Sequence, residues 1–197
     1  MIKSNVFIYM IIIVFFITLT NYSNQKKILK TETFDIKNNL QLLHFDCKTN
    51  VDNLHIIVGF ATSLSDFNFS KINYHIVAGT YAVQKVLYVL PNNLVELSFG
   101  NNWTVAHENF DTAIKKVQKI VKQKLDINEA IWIAKVVQTD FTVALVKSVQ
   151  TLFSQINIAK RIHVIQHSFL NKKMTNPKHL DFVKNNTNYF KIPMIIF

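Results

Sequence analysis

Two histidines, His163 and His167, stand four residues apart in a stretch with helical periodicity. On a helix, both imidazoles would project from one side and could bind a metal ion. Lys160 lies on that same side and opposes a second cation, and no Glu follows His163 as the zinc-protease motif requires. His179 and Asp181 would complete a ligand set only if the next loop folded back. We therefore predict solvated histidines and no metal site.

A second group of polar residues, His107, Glu108 and Asp111, stands where a helix is expected to begin. Acidic side chains in a first turn interact favourably with the helix dipole. This position explains them without a catalytic role. We predict no catalytic residue in this group.

The motifs that usually identify an enzyme are absent from the sequence. The three glycines, Gly59, Gly79 and Gly100, are too scattered to form a phosphate-binding loop, and no G-x-S-x-G is present. The single cysteine, Cys47, can form neither an internal disulfide nor a thiolate zinc site. It is expected to be a buried thiol, with an intermolecular bridge or a nucleophile as alternatives. The sequence thus favours a non-enzymatic protein without a cofactor, and leaves open an enzyme whose catalytic residues are dispersed.

Asp140 is an anomaly in the apolar pattern, because it falls among Ile133, Val136, Val137 and Ala144. A buried carboxylate needs a partner or a raised pKa. The alternative is that a local break in the helix exposes Asp140, and this is the interpretation that we favour.

The clearest element is an amphipathic helix that starts near residue 110 and ends near residue 125. Its apolar residues share one face, and most of its lysines lie on the other. Lys115, Lys119 and Lys122 form the basic face that we predict to bind a partner. This face suits an acidic protein, a glycan or an anionic membrane surface. Sequence-specific nucleic-acid binding is not expected, because Arg161 is the only arginine and lysine reads bases poorly.

The remaining pattern predicts one α+β domain, with N-terminal strands followed by a helical C-terminal half. Apolar alternation or β-branched content indicates strands at 36–47, 53–61 and 94–99, and helical spacing indicates a helix at 71–90. A long, buried central helix is expected at about 127–155. A further helix is predicted from Asn157, with apolar residues through Phe169 on one face.

The first 20 residues resemble a secretory signal peptide. Val6 to Leu19 is apolar apart from Thr18, and this stretch is shorter than the roughly 20 residues of a membrane span. We expect a signal peptide at 1–20, a polar leader at 21–33 and a single domain at 34–197. The chain is accordingly predicted to be secreted. An uncleaved N-terminal segment that anchors the protein to a membrane is the alternative.

Secretion would give meaning to the sequence's N-glycosylation patterns. Those within the expected domain place the acceptor at Asn68, Asn102 and Asn185. Asn102 follows Gly100 in a turn-like stretch and is the strongest candidate of the three.

Composition favours an interaction protein over other classes. The chain of 197 residues has a net charge of +10, and its frequent Lys, Asn, Ile and Phe are typical of an AT-rich genome. We predict a secreted, basic interaction protein, with a parasite- or virus-type effector that binds an acidic host partner as one interpretation. A membrane-active, pore-forming-like protein is the alternative, although Asp140 and Lys147 would make insertion of 127–156 costly.

Overall fold

The computed structural model describes residues 33–47, 52–81, 90–135, 139–154, 157–167 and 176–192. From Phe34 onward these residues belong to one compact unit. The predicted signal peptide at 1–20 and almost all of the leader at 21–33 lie outside the described residues. Within them, no helix combines the length and apolar character that a membrane crossing requires.

Strands and helices alternate along the chain. The strands are β1 (Leu40–Phe45), β2 (Asn73–Ala78), β3 (Trp103–Val105), β4 (Ile131–Lys135), β5 (Ile162–His167) and β6 (Asn188–Ile192). The helices are α1 (Asp52–Ser63), α2 (Asn92–Phe99), α3 (Phe110–Asp126), α4 (Asp140–Leu152) and α5 (Pro177–Asn186). A short 3-10 turn, Ile158–Lys160, precedes β5. The predicted mixture of strands and helices is confirmed.

The six strands form one sheet in the order β3-β2-β1-β4-β5-β6, and every neighbouring pair is parallel. The chain first winds outward from β1 to β3, then crosses to β4 and winds the other way. This is the order of a doubly wound α/β sheet, with its topological switch point between β1 and β4. In the register there, Leu40 lies opposite Ile131 and His44 lies opposite Lys135.

Each face of the sheet packs against its own set of helices. One core lies between the sheet and helices α3, α4 and α5, and contains Leu42, Ile133 and Val164. The other contains Phe45 and Ala78 with residues of α1 and α2. Buried strands in such a sheet are apolar on both sides, so they show little alternation in sequence.

Helix α3 matches its prediction closely. Asn109 caps the helix, because its side-chain oxygen accepts a hydrogen bond from the Thr112 amide at 2.9 Å. Its buried residues recur at helical spacing and face the core: Ala113, Ile114, Val117, Val121 and Leu125. Burial of this stripe stabilises the helix more than intrinsic propensity can.

The predicted central helix at 127–155 is wrong as a single element. Residues 131–135 form β4, and the helix begins only at Asp140. The run Ile131–Lys135 is buried on both faces of a parallel sheet, and periodicity alone does not distinguish such a run from a buried helix. For the same reason, the helices predicted at 71–90 and from Asn157 contain β2 and β5 instead.

Two predicted strands are helices in the structure. The stretch 53–61 lies within α1, and 94–99 lies within α2. Tertiary packing outweighs the β-branched content of α1, whose Ile57 is fully buried while Ile56 and Val58 remain largely exposed. The strand predicted at 36–47 is confirmed in its central part as β1.

Candidate functional site at the carboxyl edge of the sheet

Buried polar side chains are concentrated where β1 and β4 end. They come from these two strands and from the helices that follow, and His179 of α5 joins them. We call this group the carboxyl-edge cluster: His44, Asp46, Asn53, Lys135, Thr139, Asp140, Thr142 and His179. In a doubly wound sheet, ligands bind outside the carboxyl ends of the strands at the switch point. The cluster occupies that position.

Asp46 directly follows β1 and is only 7% exposed. The side-chain amide of Asn53, in the first turn of α1, donates a hydrogen bond to Asp46 Oδ1 at 2.8 Å. Between these elements, Cys47 has a φ of 52°, a left-handed conformation that is uncommon outside glycine. The turn therefore holds a buried carboxylate at the end of the strand. Cys47 itself is a buried free thiol, as expected.

Lys135 is the last residue of β4, and its side chain is almost fully buried. Its ammonium Nζ donates a hydrogen bond to Thr139 Oγ1 at 2.6 Å. Burial lowers the pKa of Lys135 to about 7, although the negative charge of Asp140 acts in the opposite direction. A substantial fraction of the side chain is therefore a neutral amine near neutral pH, able to act as a base or a nucleophile.

His44 lies beside Lys135 in the adjacent strand. Its Nδ1 is 3.1 Å from Thr142 Oγ1, and its ring packs edge-on against Phe141. Burial lowers the pKa of His44 to about 3, and the charge of Lys135 adds to the effect. The imidazole is therefore neutral at physiological pH.

The side chains of Asp140 and His179 form a hydrogen-bond contact between two helices. His179 Nδ1 lies 2.7 Å from Asp140 Oδ1, and both side chains are half-buried. The predicted break in a helix that would expose Asp140 is not found, because the strand β4 precedes it and α4, which starts at Asp140, continues through residues 143–146. Asp140 is thus neither deeply buried nor unpaired, and its charge also suits the first turn of a helix.

Several buried polar atoms at this edge have no hydrogen-bond partner among the described residues. They are His44 Nε2, Asn53 Oδ1, Thr80 Oγ1 and Gln166 Nε2. Thr80 follows β2, and its backbone amide donates to the Phe45 carbonyl at 3.0 Å, which places it beside the end of β1. Most buried polar groups in proteins are paired, so these four atoms remain available to a hydrogen-bonding ligand or water.

Two cavities lie at the opposite, amino edge of the sheet. One of about 570 Å³ is lined partly by residues 34–37, and one of about 360 Å³ is lined partly by residues 157–159. Neither is lined by a residue of the carboxyl-edge cluster. We locate the candidate site by its buried ionisable groups, because concave shape alone does not bring reactive groups together.

The three predicted binding lysines do share one surface. Lys115, Lys119 and Lys122 are exposed on α3, one turn apart. Lys122 forms a salt bridge with Asp126 at 2.6 Å and lies 5.5 Å from the centre of the Phe153 ring. No salt bridge to Lys115 or Lys119 is found within the described part of the chain. We call this surface the α3 lysine face.

The histidine pair considered for metal binding is not on a helix. His163 is buried in β5, where it stacks on Trp132 with ring centres 4.2 Å apart and contacts Asn188. The expectation of a solvated His163 is therefore wrong, because β5 directs the residue into the sheet's packed face. Over the residues described, no three His, Cys, Asp or Glu side chains are grouped as metal ligands.

His107, Glu108 and Asp111 lie at the start of α3. His107 Nε2 lies 3.9 Å from Glu108 Oε1, and burial lowers the pKa of His107. Asp111 lies in the first turn of the helix, as the dipole argument expects.

The three acceptor asparagines are exposed and well separated in the sequence. Asn68 lies in the loop after α1, Asn102 in the turn before β3, and Asn185 near the end of α5. All three positions are on the surface, where a glycan can be accommodated.

Sequence reasoning did not select Lys135, Asp46 or His44. A signal was present, since Asp46 and Lys135 each come at the end of a short apolar run. Such residues at the ends of parallel strands meet at one edge of the sheet. The error at 127–155 concealed this signal, because it placed Lys135 within a helix and not at the end of a strand.

Comparison with known proteins adds no family assignment. No protein-family model matches the sequence, and no curated protein matches it.

Proposed function

We propose that this domain binds a small, uncharged, hydrogen-bonding molecule at the carboxyl-edge cluster. The observation that carries the proposal is the buried amine of Lys135, held by Thr139 beside the switch point. Burial of an ionisable group opposes folding. A protein that retains such a group therefore keeps it for another role, such as binding or catalysis. Strongly perturbed groups of this kind are concentrated at functional sites.

The charges of the cluster define the ligand class. Two carboxylates, Asp46 and Asp140, lie in the cluster, and the amine of Lys135 carries only part of a positive charge near neutral pH. The described residues there contain no arginine and no glycine-rich loop. A phosphate or carboxylate would therefore meet net negative charge. Hydroxyl and amide groups can instead donate to Asp46 and accept from Lys135.

The proposal is tested with matched pairs of small molecules. Uncharged sugars and nucleosides, each beside its monophosphate, are screened by thermal unfolding of the full domain. At least one uncharged compound should raise Tm by about 3 °C at ten times its Kd. The corresponding monophosphate should have a smaller effect.

Two isosteric variants make this screen specific. Asp46→Asn should abolish the shift, whereas Asp181→Asn, at an exposed position on α5, should leave it unchanged. Stronger binding of the phosphates, equal behaviour of the two variants, or no response from any compound would each reject the proposal.

A second candidate function rests on the α3 lysine face. We propose that a secreted form of the protein makes electrostatic contact through Lys115, Lys119 and Lys122 with an acidic protein, a glycan or an anionic membrane surface. The exposure of all three amines on one side of α3 supports it. Such contact is long-range and sensitive to salt.

Heparin and anionic phospholipid vesicles are suitable probes of this face. Replacing the three lysines by Glu should weaken binding and reduce its dependence on salt. The control replaces three exposed lysines elsewhere, Lys37, Lys160 and Lys178, by Glu, because it changes the net charge equally. If both triple variants bind alike, total charge explains the attraction and the α3 lysine face is rejected.

A further inference from the structure

We propose that His179, positioned by Asp140, is a general base that removes a proton from a hydroxyl group or water at the carboxyl-edge cluster. This inference rests on the proposed ligand site and makes that site catalytic. It identifies His179 as the group that accepts the proton and Asp140 as its positioning residue.

The first argument is geometric. Asp140 begins α4 and His179 lies in the first turn of α5, so both side chains come from helices that start at the carboxyl edge. Asn176 caps α5 by accepting a hydrogen bond from the Lys178 amide, and Pro177 fixes the start of the helix. The 2.7 Å contact therefore joins the first residue of α4 to the capped start of α5.

The second argument concerns the tautomer. A carboxylate can only accept a hydrogen bond, so the contact requires a proton on His179 Nδ1. In the neutral ring, Nε2 then carries the lone pair. No described residue forms a hydrogen bond with Nε2. The arrangement of carboxylate, Nδ1–H and unprotonated Nε2 is the one that orients a general base in acyl-transfer enzymes.

The third argument is access. The side chain of His179 is 36% exposed, whereas His44, His75 and His163 are all buried. Nε2 of His179 is thus accessible to a ligand, while Nδ1 is held by Asp140. The exposed His55 on α1 has no comparable carboxylate contact among the described residues and serves as a natural control.

The fourth argument links the pair to Lys135. Thr139, which accepts a hydrogen bond from Lys135, is the neighbour of Asp140 in the chain, and Asp140 influences the protonation of Lys135. Lys135 contacts Thr139, and the next residue in the chain, Asp140, contacts His179, so these four residues are neighbours along this edge.

An activated ester tests the base without knowledge of the natural ligand. With p-nitrophenyl acetate, Nε2 takes one proton from water while the resulting hydroxide forms a bond to the carbonyl carbon. The bond to p-nitrophenolate breaks and acetic acid is formed, which releases its proton to solvent as acetate. The imidazolium returns the first proton to solvent. Release of p-nitrophenolate over many turnovers is followed by absorbance.

His179→Ala should slow turnover by about 100-fold, within the range of general-base catalysis. Added imidazole should restore part of the rate, which a merely structural role of His179 would not allow. Asp140→Asn should cause a smaller loss, and His55→Ala and Asp181→Asn should have none. Equal rates for His179→Ala and the unaltered protein, or no rescue by imidazole, would overturn the inference.

The two proposals fail in different ways. Asp46→Asn should remove ligand-induced stabilisation, which tests the ligand site alone. His179→Gln should remove hydrolysis and leave the stabilisation. Loss of hydrolysis in the His179 variants, with no stabilising ligand found, would reject the ligand site and retain the base.

Discussion

The lysines of this protein occupy two contrasting environments. On the α3 lysine face, Lys115, Lys119 and Lys122 are exposed to solvent. At the end of β4, Lys135 is buried and has lost much of its affinity for a proton. The same side chain is therefore a solvated cation at one place and a candidate reactive amine at the other. Burial, which composition does not reveal, makes the difference.

The largest expected effect comes from Lys135→Met. The folded pKa of Lys135 is about 7 and the unfolded value about 10.5, so the folded state binds fewer protons between these values. The free energy of unfolding should therefore rise with pH from about 7 to 10.5, and the burial penalty should be constant below pH 7. At about pH 6 the variant should be more stable than the unaltered protein by roughly 4 kcal/mol. Its free energy of unfolding should not rise between about pH 7 and 10.5. Urea denaturation across this range measures both.

Lys119→Met is the matched control from the exposed set. It should change stability by less than about 0.5 kcal/mol at any pH, as exposed substitutions usually do. If the two methionine variants behave alike, the contrast between the environments is refuted.

The buried neighbour His44 gives the next effect. Its folded pKa is about 3 against 6.5 for the unfolded chain, so the unfolded state binds more protons as pH falls between these values. The free energy of unfolding therefore decreases as the pH falls from about 6.5 to about 3. His44→Gln should remove roughly 3 kcal/mol of the loss between about pH 7 and pH 4. A steep acid transition that His44→Gln leaves unaltered would show that other groups cause it.

A smaller effect is expected within the α3 lysine face itself. Lys122→Ala breaks the exposed pair with Asp126, and it should cost about 0.5 kcal/mol, decreasing at high salt. Chemical denaturation at low and high salt provides the measurement. A loss of several kcal/mol would mean that Lys122 is integral to the fold and unsuited to a free binding surface.

The smallest effect on folding should come from the acceptor asparagines. Expressed in a secretory eukaryotic host, the protein should carry a glycan at Asn102. Asn102→Gln should lower the apparent mass on a denaturing gel by one glycan, with little change in Tm. Asn68→Gln and Asn185→Gln extend the test. Secreted protein without glycan at any of these positions would contradict the prediction.

Sequence periodicity located α3 well because one face of that helix is solvated. Its lysines and its buried aliphatic residues alternate with the helical period, and the Asn109 cap marks its beginning. The sheet was hidden for the opposite reason. Strands such as Ile131–Lys135 are covered on both faces, so their sequence lacks the alternation that marks a strand with one solvated face.

The candidate site was partly visible in the sequence. Asp140 stood out as a carboxylate in an apolar stretch, and a break beside it was expected. Its partner His179 is 39 residues away in sequence, and only the parallel topology brings the two helix starts together. Long-range pairings of this kind depend on the strand order, which local pattern cannot supply.

The central claim, that burial at the switch point lowers the pKa of Lys135 so that part of it is a neutral amine near pH 7, is tested most directly by its titration. Heteronuclear NMR of the side-chain ε-carbon and ζ-nitrogen, assigned with Lys135→Met, follows the protonation of this one residue. We predict a midpoint near pH 7 for Lys135. A Lys135 midpoint near 10.4, the usual value for a lysine, would contradict the account.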